Sequence, residues 1–285
     1  MKTFTTVNEL QIALRKHQQV GEKIAFIPTM GALHEGHLSL IEIGKKNAEI
    51  TVASIFVNPT QFNNPDDLKK YPRMLETDKA LLESKHCDYL FAPTVDEIYP
   101  KNLNTIVDID LNELEKPMEG EFRPGHFEGM LQVVKRLLDI VNPDYLIMGQ
   151  KDFQQFTIVA YMIETLNLPV ELIVAPTLRE KDGLAMSSRN MRLTPKMRKI
   201  SPVIYKELMK AKKAIKDQNI HSISEEAIDT LSKAGLKPEY FRICDGKTLK
   251  QIESPQNHPN IVACVAAWAE DVRLIDNMVL KVSKK

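Results

Sequence analysis

Cysteine is scarce in this 285-residue chain: Cys87, Cys244 and Cys264 are all there is, odd in number and far apart. They form no C-x-x-C pair and no even disulfide framework, which predicts a reducing compartment. Net charge is missing as well, with 38 basic side chains against 38 acidic ones. The overall charge therefore offers nothing to a nucleic acid or an anionic membrane surface. Long apolar runs are absent too. The longest, IVACVAAWA at 261–269, is about half the length a membrane span needs. The N-terminal MKTFTTVNEL lacks the apolar segment of a secretory signal. These absences predict a cytoplasmic protein with neither a nucleic-acid nor a membrane partner. What remains is ordinary globular material, 43% hydrophobic and 27% charged, enough for one large domain or two smaller ones.

Short apolar runs alternate with helical patterns from residue 23 to about 176. KIAFI (23–27), TVASIFV (51–57), CDYLFA (87–92), DYLIM (144–148) and VELIVA (170–175) are compact and do not alternate strictly. That is the pattern of strands covered on both faces. TIVDID (105–110) reads as an additional strand. GMLQVVKRLLDIVN (129–142) and DFQQFTIVAYMIETLN (152–167) repeat apolar residues at three and four, as amphipathic helices do. Strand–helix alternation implies a parallel sheet flanked by helices. Beyond this the chain turns polar and lysine-rich, then carries the strand-like runs YFRIC, IVACVAA and VRLIDNMVL. The expectation is an α/β fold, a doubly wound parallel sheet over residues 1–177, with a smaller α+β domain over 178–285.

Four of the strands run straight into loops of unusual chemistry: PTMGALHEGH (28–37), NPTQFNNP (58–65), GQKDFQQ (149–155) and PTLREKDGLAMSSRN (176–190). In an open parallel sheet such loops gather at the carboxyl edge, where these folds bind ligands. Gly31 permits a tight turn, and Gly36 leaves room beside the backbone. A helix starting near His34 would present N–H groups and partial positive charge to an anion, with His34 and His37 one turn apart on the same side. The pair suits phosphate oxygens. It could also share a metal ion, although no Cys, Asp or third His stands at an obvious ligand spacing, or it could cap the helix and do nothing more. Lys151, at a helix start beside Gly149, is placed for a phosphate. Asn58, Gln61 and Gln155 offer neutral amides to a hydroxylated substrate. Ser187, Ser188 and Arg189 could close over a triphosphate, and Arg123 of GEFRPGHFEGM could grip a carboxylate or phosphate.

PTMGALHEGH, FVNPTQF, RPGHFEGM, GQKDFQQ and REKDGLAMSSRN, in this order and spacing, resemble the pantothenate synthetase (pantoate–β-alanine ligase) family. The resemblance extends to RLIDN at 273–277 and so spans nearly the whole chain. HEGH alone would fit any HxGH nucleotidyl transferase, which is the alternative. The resemblance implies a Rossmann-like fold, a homodimer, and an ATP- and Mg2+-dependent condensation of pantoate with β-alanine through pantoyl adenylate. It assigns ATP to Met30, Gly31, Ala32, Leu33, His34, Glu35, Gly36 and His37, with His37 as proton donor. ATP is assigned likewise to Gly149, Gln150, Lys151 and Asp152, to Leu178, and to Met186, Ser187, Ser188 and Arg189. Gln61 and Gln155 would bind pantoate, with Asn58 and Arg123 in the substrate region. Gln150 stands where many members have Glu, and Leu178 where Val is frequent. AWAEDVRLIDN lacks the glycine expected shortly before RLIDN.

Overall fold

The apolar runs become strands because a parallel sheet can bury them on both faces. The computed structural model describes residues 1–62, 68–69, 71–217 and 219–282. The last part of the NPTQFNNP loop, 63–65, lies outside the described residues. Six strands form the first sheet: β1 (Lys2–Phe4), β2 (Ile24–Thr29), β3 (Ile50–Ile55), β4 (Tyr89–Phe91), β5 (Tyr145–Gly149) and β6 (Glu171–Ala175). Their order is β1-β4-β3-β2-β5-β6, and every pairing is parallel. From β2 the chain moves outward through β3 to β4, then returns to the other side of β2 for β5 and β6. The order therefore reverses between β2 and β5, which defines a topological switch point. The fold is the doubly wound α/β arrangement expected.

The main helices of this unit are α1 (Val7–Gln19), α2 (Glu35–Asn47), α3 (Leu75–Ser84), α4 (His126–Val141) and α5 (Phe153–Thr165). In α4 the residues Phe127, Met130, Leu131, Val134, Leu137, Leu138 and Val141 are all buried. Their spacing of three and four makes one apolar stripe. Helix α2 lies close on the sheet because position 44 is glycine. A Cβ there would stand 3.2 Å from Ile27 Cδ1 and 3.3 Å from Ala25 and Thr51. Strand β2 fills the centre: Ile24, Ala25, Phe26 and Ile27 are fully buried. Each large apolar side chain so buried contributes roughly 1.5–3 kcal/mol.

The chain divides into two compact units. The first is Met1–Glu115, Glu119–Gly149 and Gln155–Ala175; the second is Lys116–Met118, Gln150–Gln154 and Pro176–Lys285. The second unit carries an antiparallel sheet of β7 (Lys237–Asp245), β8 (Asn260–Ala269) and β9 (Val272–Val282). Helices α6 (Val203–Ala214) and α7 (Ile220–Lys233) supply the apolar partners. Alternate β8 residues Ile261, Ala263, Val265 and Ala267 share a core with Leu208, Ala211, Ile223 and Leu231, as the two-residue strand period requires.

Three local expectations change. TIVDID is not a strand: Thr105–Asp110 pairs with no strand among the described residues, and Ile106 is 75% exposed. The β propensity of this segment is not realised because a strand needs a partner ladder and these residues form none among the described residues. Strand β1 escapes the periodicity because it is only three residues long. The β8–β9 turn forms without glycine, since Glu270 takes a φ of +55°.

Candidate active site

Strand β2 ends at Thr29, and the chain must turn sharply to enter α2. Gly31 at φ +83° and Ala32 at φ +51° make the turn. Successive N–H groups in such a turn form a concavity that favours an anion. Here the anion is internal: Asp78 in the first turn of α3 accepts from Ala32 N at 2.9 Å and Leu33 N at 2.8 Å. Asp78 is 1% exposed. No short-range pattern links it to the loop it holds. Ala32 and Leu33 are themselves buried, so they shape the loop. Glu35 is exposed, 4.0 Å from Lys85.

His34 is the N-cap of α2. Its Nδ1 accepts from Gly36 N at 3.1 Å, while His37 Nδ1 accepts from His34 N at 3.3 Å. The two rings lie 4.1 Å apart between centroids. An Nδ1 that accepts an N–H bond carries no proton, so each neutral ring holds its proton on Nε2 and is a donor there. The N–H groups of His37 and Leu38 already point to His34 O, at 2.8 and 3.1 Å. The expectation of open backbone donors at this helix end is thus corrected. The cap uses the N–H groups of Gly36, His37 and Leu38.

A buried amide cluster adjoins this loop. Asn58 Nδ2 donates to Gln61 Oε1 at 3.1 Å and to Gly129 O at 3.0 Å. Gln61 Nε2 lies 3.1 Å from Met30 Sδ. Tyr99 donates its hydroxyl to Asn58 Oδ1 at 2.9 Å, and burial pushes the Tyr99 phenol pKa up. His126 Nδ1 stands 3.0 Å from Gln61 O; a carbonyl only accepts, so that nitrogen carries the proton. Helix α4 comes close here because residue 129 is glycine: a Cβ would fall 2.3 Å from Thr60 O. Arg123 pairs with Glu119 at 3.5 Å. Gly149 ends β5, and Gln155 is half-buried in α5. A cavity of about 310 Å³ opens at the same carboxyl edge, with Met30, Gly31, Phe56 and Asp78 in its wall.

The remaining expected residues belong to the second unit. Residues 178–186 form a hydrogen-bonded hairpin: Met186 N donates to Leu178 O at 3.0 Å, and Glu180 N to Leu184 O at 2.8 Å. Leu178 is 40% exposed. Ser187 caps the following 3₁₀ turn, its Oγ accepting from Arg189 N at 3.3 Å, and Ser188 opens that turn. Arg179 fixes the hairpin with a bidentate pair to Asp276 at 2.6 and 3.0 Å. Its guanidinium also lies 4.5 Å over the Tyr205 ring. Burial pushes the Asp276 carboxyl pKa up, opposed by Arg179 and the Asn277 N–H. Lys151 Nζ stands 3.8 Å from Asp152 Oδ2, and Gln150 bonds to Asn277.

Within the first unit, Met30–His37, Asn58 and Gln61 meet at one sheet edge, beside the switch point. The three cysteines are buried and in no disulfide. Burial lifts the Cys87 thiol to about 11, so it is not a thiolate near neutral pH.

A family model described as pantoate-beta-alanine ligase matches residues 2–279. The chain belongs to that family. Among pantoate-beta-alanine ligases, the pantothenate synthetase of Azobacteroides pseudotrichonymphae genomovar. CFP2 is 46% identical over 283 residues, 98% of this chain and 99% of that one. The pantoate–beta-alanine ligase of Schizosaccharomyces pombe is 44% identical over 270 residues, 92% of this chain and 95% of that one. The crystal structure of pantothenate synthetase from Thermus thermophilus superposes with a TM-score of 0.91 at 38% identity, covering 99% and 100% of the two chains. The Francisella tularensis ligase, complexed with beta-gamma ATP and beta-alanine, gives 0.81 at 36% identity, covering 98% of each chain. Asp78, Tyr99, Arg179 and Asp276 make these contacts although the sequence singled out none of them for a role. RLIDN was visible as a motif, whereas nothing local marked Asp78.

Proposed function

We propose that this chain is an ATP-dependent ligase that condenses pantoate with β-alanine to pantothenate. The reciprocal histidine cap carries the reading. Both rings accept backbone N–H bonds at Nδ1, so the neutral rings carry the proton on Nε2, the tautomer that can donate to a phosphate oxygen. A carboxylate acylates an amine poorly until its oxygen is converted into a good leaving group. In the first step a pantoate carboxylate oxygen attacks the α-phosphorus of ATP. The bond to the β-phosphate oxygen breaks, and pyrophosphate leaves. In the second step the β-alanine amine attacks the acyl carbon of pantoyl adenylate. The C–N bond forms, AMP departs with the mixed-anhydride oxygen, and the amine loses a proton.

His34 and His37 are proposed to stabilise charge on the phosphate oxygens, and Lys151, Ser187, Ser188 and Arg189 to neutralise the triphosphate. Gln61 and Gln155 hold pantoate, with Asn58 fixing Gln61. Arg123 serves the acidic-substrate region only if it leaves Glu119. Among the described residues no group of three or more His, Cys, Asp or Glu side chains is placed to hold a metal ion. The Mg2+ is proposed as that of the Mg–ATP substrate, an ion that keeps several waters and bonds mainly to phosphate oxygens. No described helix is long and apolar enough to cross a membrane. A cytoplasmic homodimer is proposed from the cysteine usage and the family.

The test is pyrophosphate release from ATP and pantoate, followed by β-alanine-dependent AMP and pantothenate. His37→Gln, which can still accept the His34 N–H, is expected to fold and to lose about 10²–10³ in kcat. Full turnover by that variant removes His37 from the reaction; pyrophosphate release that requires a nucleotide co-substrate instead favours another HxGH transferase.

A further inference from the structure

Asp276 and Asn277 lie far along the chain from every residue assigned to ATP, yet they hold two of the assigned segments. Both are buried in β9, at 4% and 1% exposure. Asn277 Nδ2 donates to Gln150 O at 2.9 Å and to Lys151 O at 2.8 Å, and its Oδ1 accepts from Gln150 Nε2 at 3.2 Å. Both N–H donors and one lone pair of the carboxamide are used, so it fixes the backbone that carries Lys151. Gln150 completes this set with a donor that a glutamate could not supply.

Asp276 works on the other segment. Its two oxygens take the Arg179 fork at 2.6 and 3.0 Å, and Oδ1 also accepts from Asn277 N at 2.8 Å. Arg179 donates in turn to Gly183 O at 3.1 Å and Asn277 O at 3.2 Å. Arg179 thereby ties both limbs of the hairpin that leads into Ser187–Arg189. Successive strand residues project to opposite faces, so one Asp-Asn step can serve two loops at once.

We propose that Asp276 and Asn277 are a positioning pair. They set the Lys151 segment and the Ser187–Arg189 segment in one register, and so determine how tightly the nucleotide is gripped. The inference rests on the ligase reading for the identity of the nucleotide, whereas its geometry lies wholly within the second unit.

The test uses Asn277→Asp, Asn277→Ser and Arg179→Lys. For each, thermal melts establish folding, KM for ATP and for pantoate are measured separately, and calorimetry follows a non-hydrolysable ATP analogue. Aspartate at 277 cannot donate to two carbonyls and sets negative charge against them. Loss of those bonds is expected to raise KM for ATP about tenfold to a hundredfold, with KM for pantoate changed less than about twofold. Asn277→Ser, which keeps one donor, falls between. Arg179→Lys keeps the charge without the fork and weakens analogue binding in the same direction. Wild-type analogue affinity in folded Asn277→Asp overturns the proposal. So does an equal loss in both substrates' KM, or the unfolding of all three variants, either of which makes the pair structural only. If the unaltered protein forms no pantothenate, the ligase reading fails, and analogue binding alone then decides the positioning role.

Discussion

Replacing Asp78 with Asn removes one negative charge and almost no volume, which isolates what the carboxylate does for the β2–α2 turn. The wild-type group accepts two backbone N–H bonds at 2.9 and 2.8 Å in a buried position. Asparagine keeps one acceptor and turns an NH2 toward the other donor, leaving that N–H unsatisfied. A hydrogen bond to a charged group contributes about 1.5–3 kcal/mol, and an orphaned buried donor costs a similar amount. Ala32 at φ +51° adds roughly 1–2 kcal/mol of left-handed strain that the carboxylate helps offset. The expected loss of unfolding free energy is about 2–3 kcal/mol, measured by urea titration with circular dichroism. Because this turn delivers His34 and His37, KM for ATP should rise while KM for pantoate stays near wild type. A variant within about 0.5 kcal/mol of the parent and with unchanged ATP kinetics would refute the claim that Asp78 holds the turn.

Two further outcomes are expected. Tyr99→Phe deletes the 2.9 Å bond to Asn58 Oδ1 and should cost about 0.5–1.5 kcal/mol of stability, while raising KM for pantoate through a less constrained Gln61; an unchanged pantoate KM would detach Tyr99 from the site. At Asp245, burial pushes the carboxyl pKa up, but bonds from Thr248, His258 and Lys247 outweigh it and leave the folded value below the ordinary 3.8. A depressed carboxyl contributes stability that is fully present above the unfolded value and lost as pH falls through the folded one. Asp245→Asn should therefore lower the urea midpoint at pH 7, with the gap to wild type closing below about pH 4; a gap independent of pH would show that the charge is irrelevant.

The loops proposed to carry the chemistry are legible because glycine, proline, histidine and paired amides are rare in succession, and each follows an apolar run. His34 as a helix cap could be read from the residues that flank it. Which atom of each imidazole bears the proton could not, because that depends on N–H groups placed only once α2 has formed. TIVDID shows the opposite error: its composition suits a strand, but a strand exists only where a partner offers a ladder.

Sequence alone determined the parallel α/β class, the loops proposed for the site, and the family motifs, because period and turn chemistry act over a few residues. Only the tertiary structure decided that Asp78 clamps a turn 46 residues away, and that adjacent residues on β9 hold two separate loops. Those bonds form between groups whose separation along the chain carries no pattern. Burial makes each of them costly to leave unpaired, so the folded geometry selects the partners.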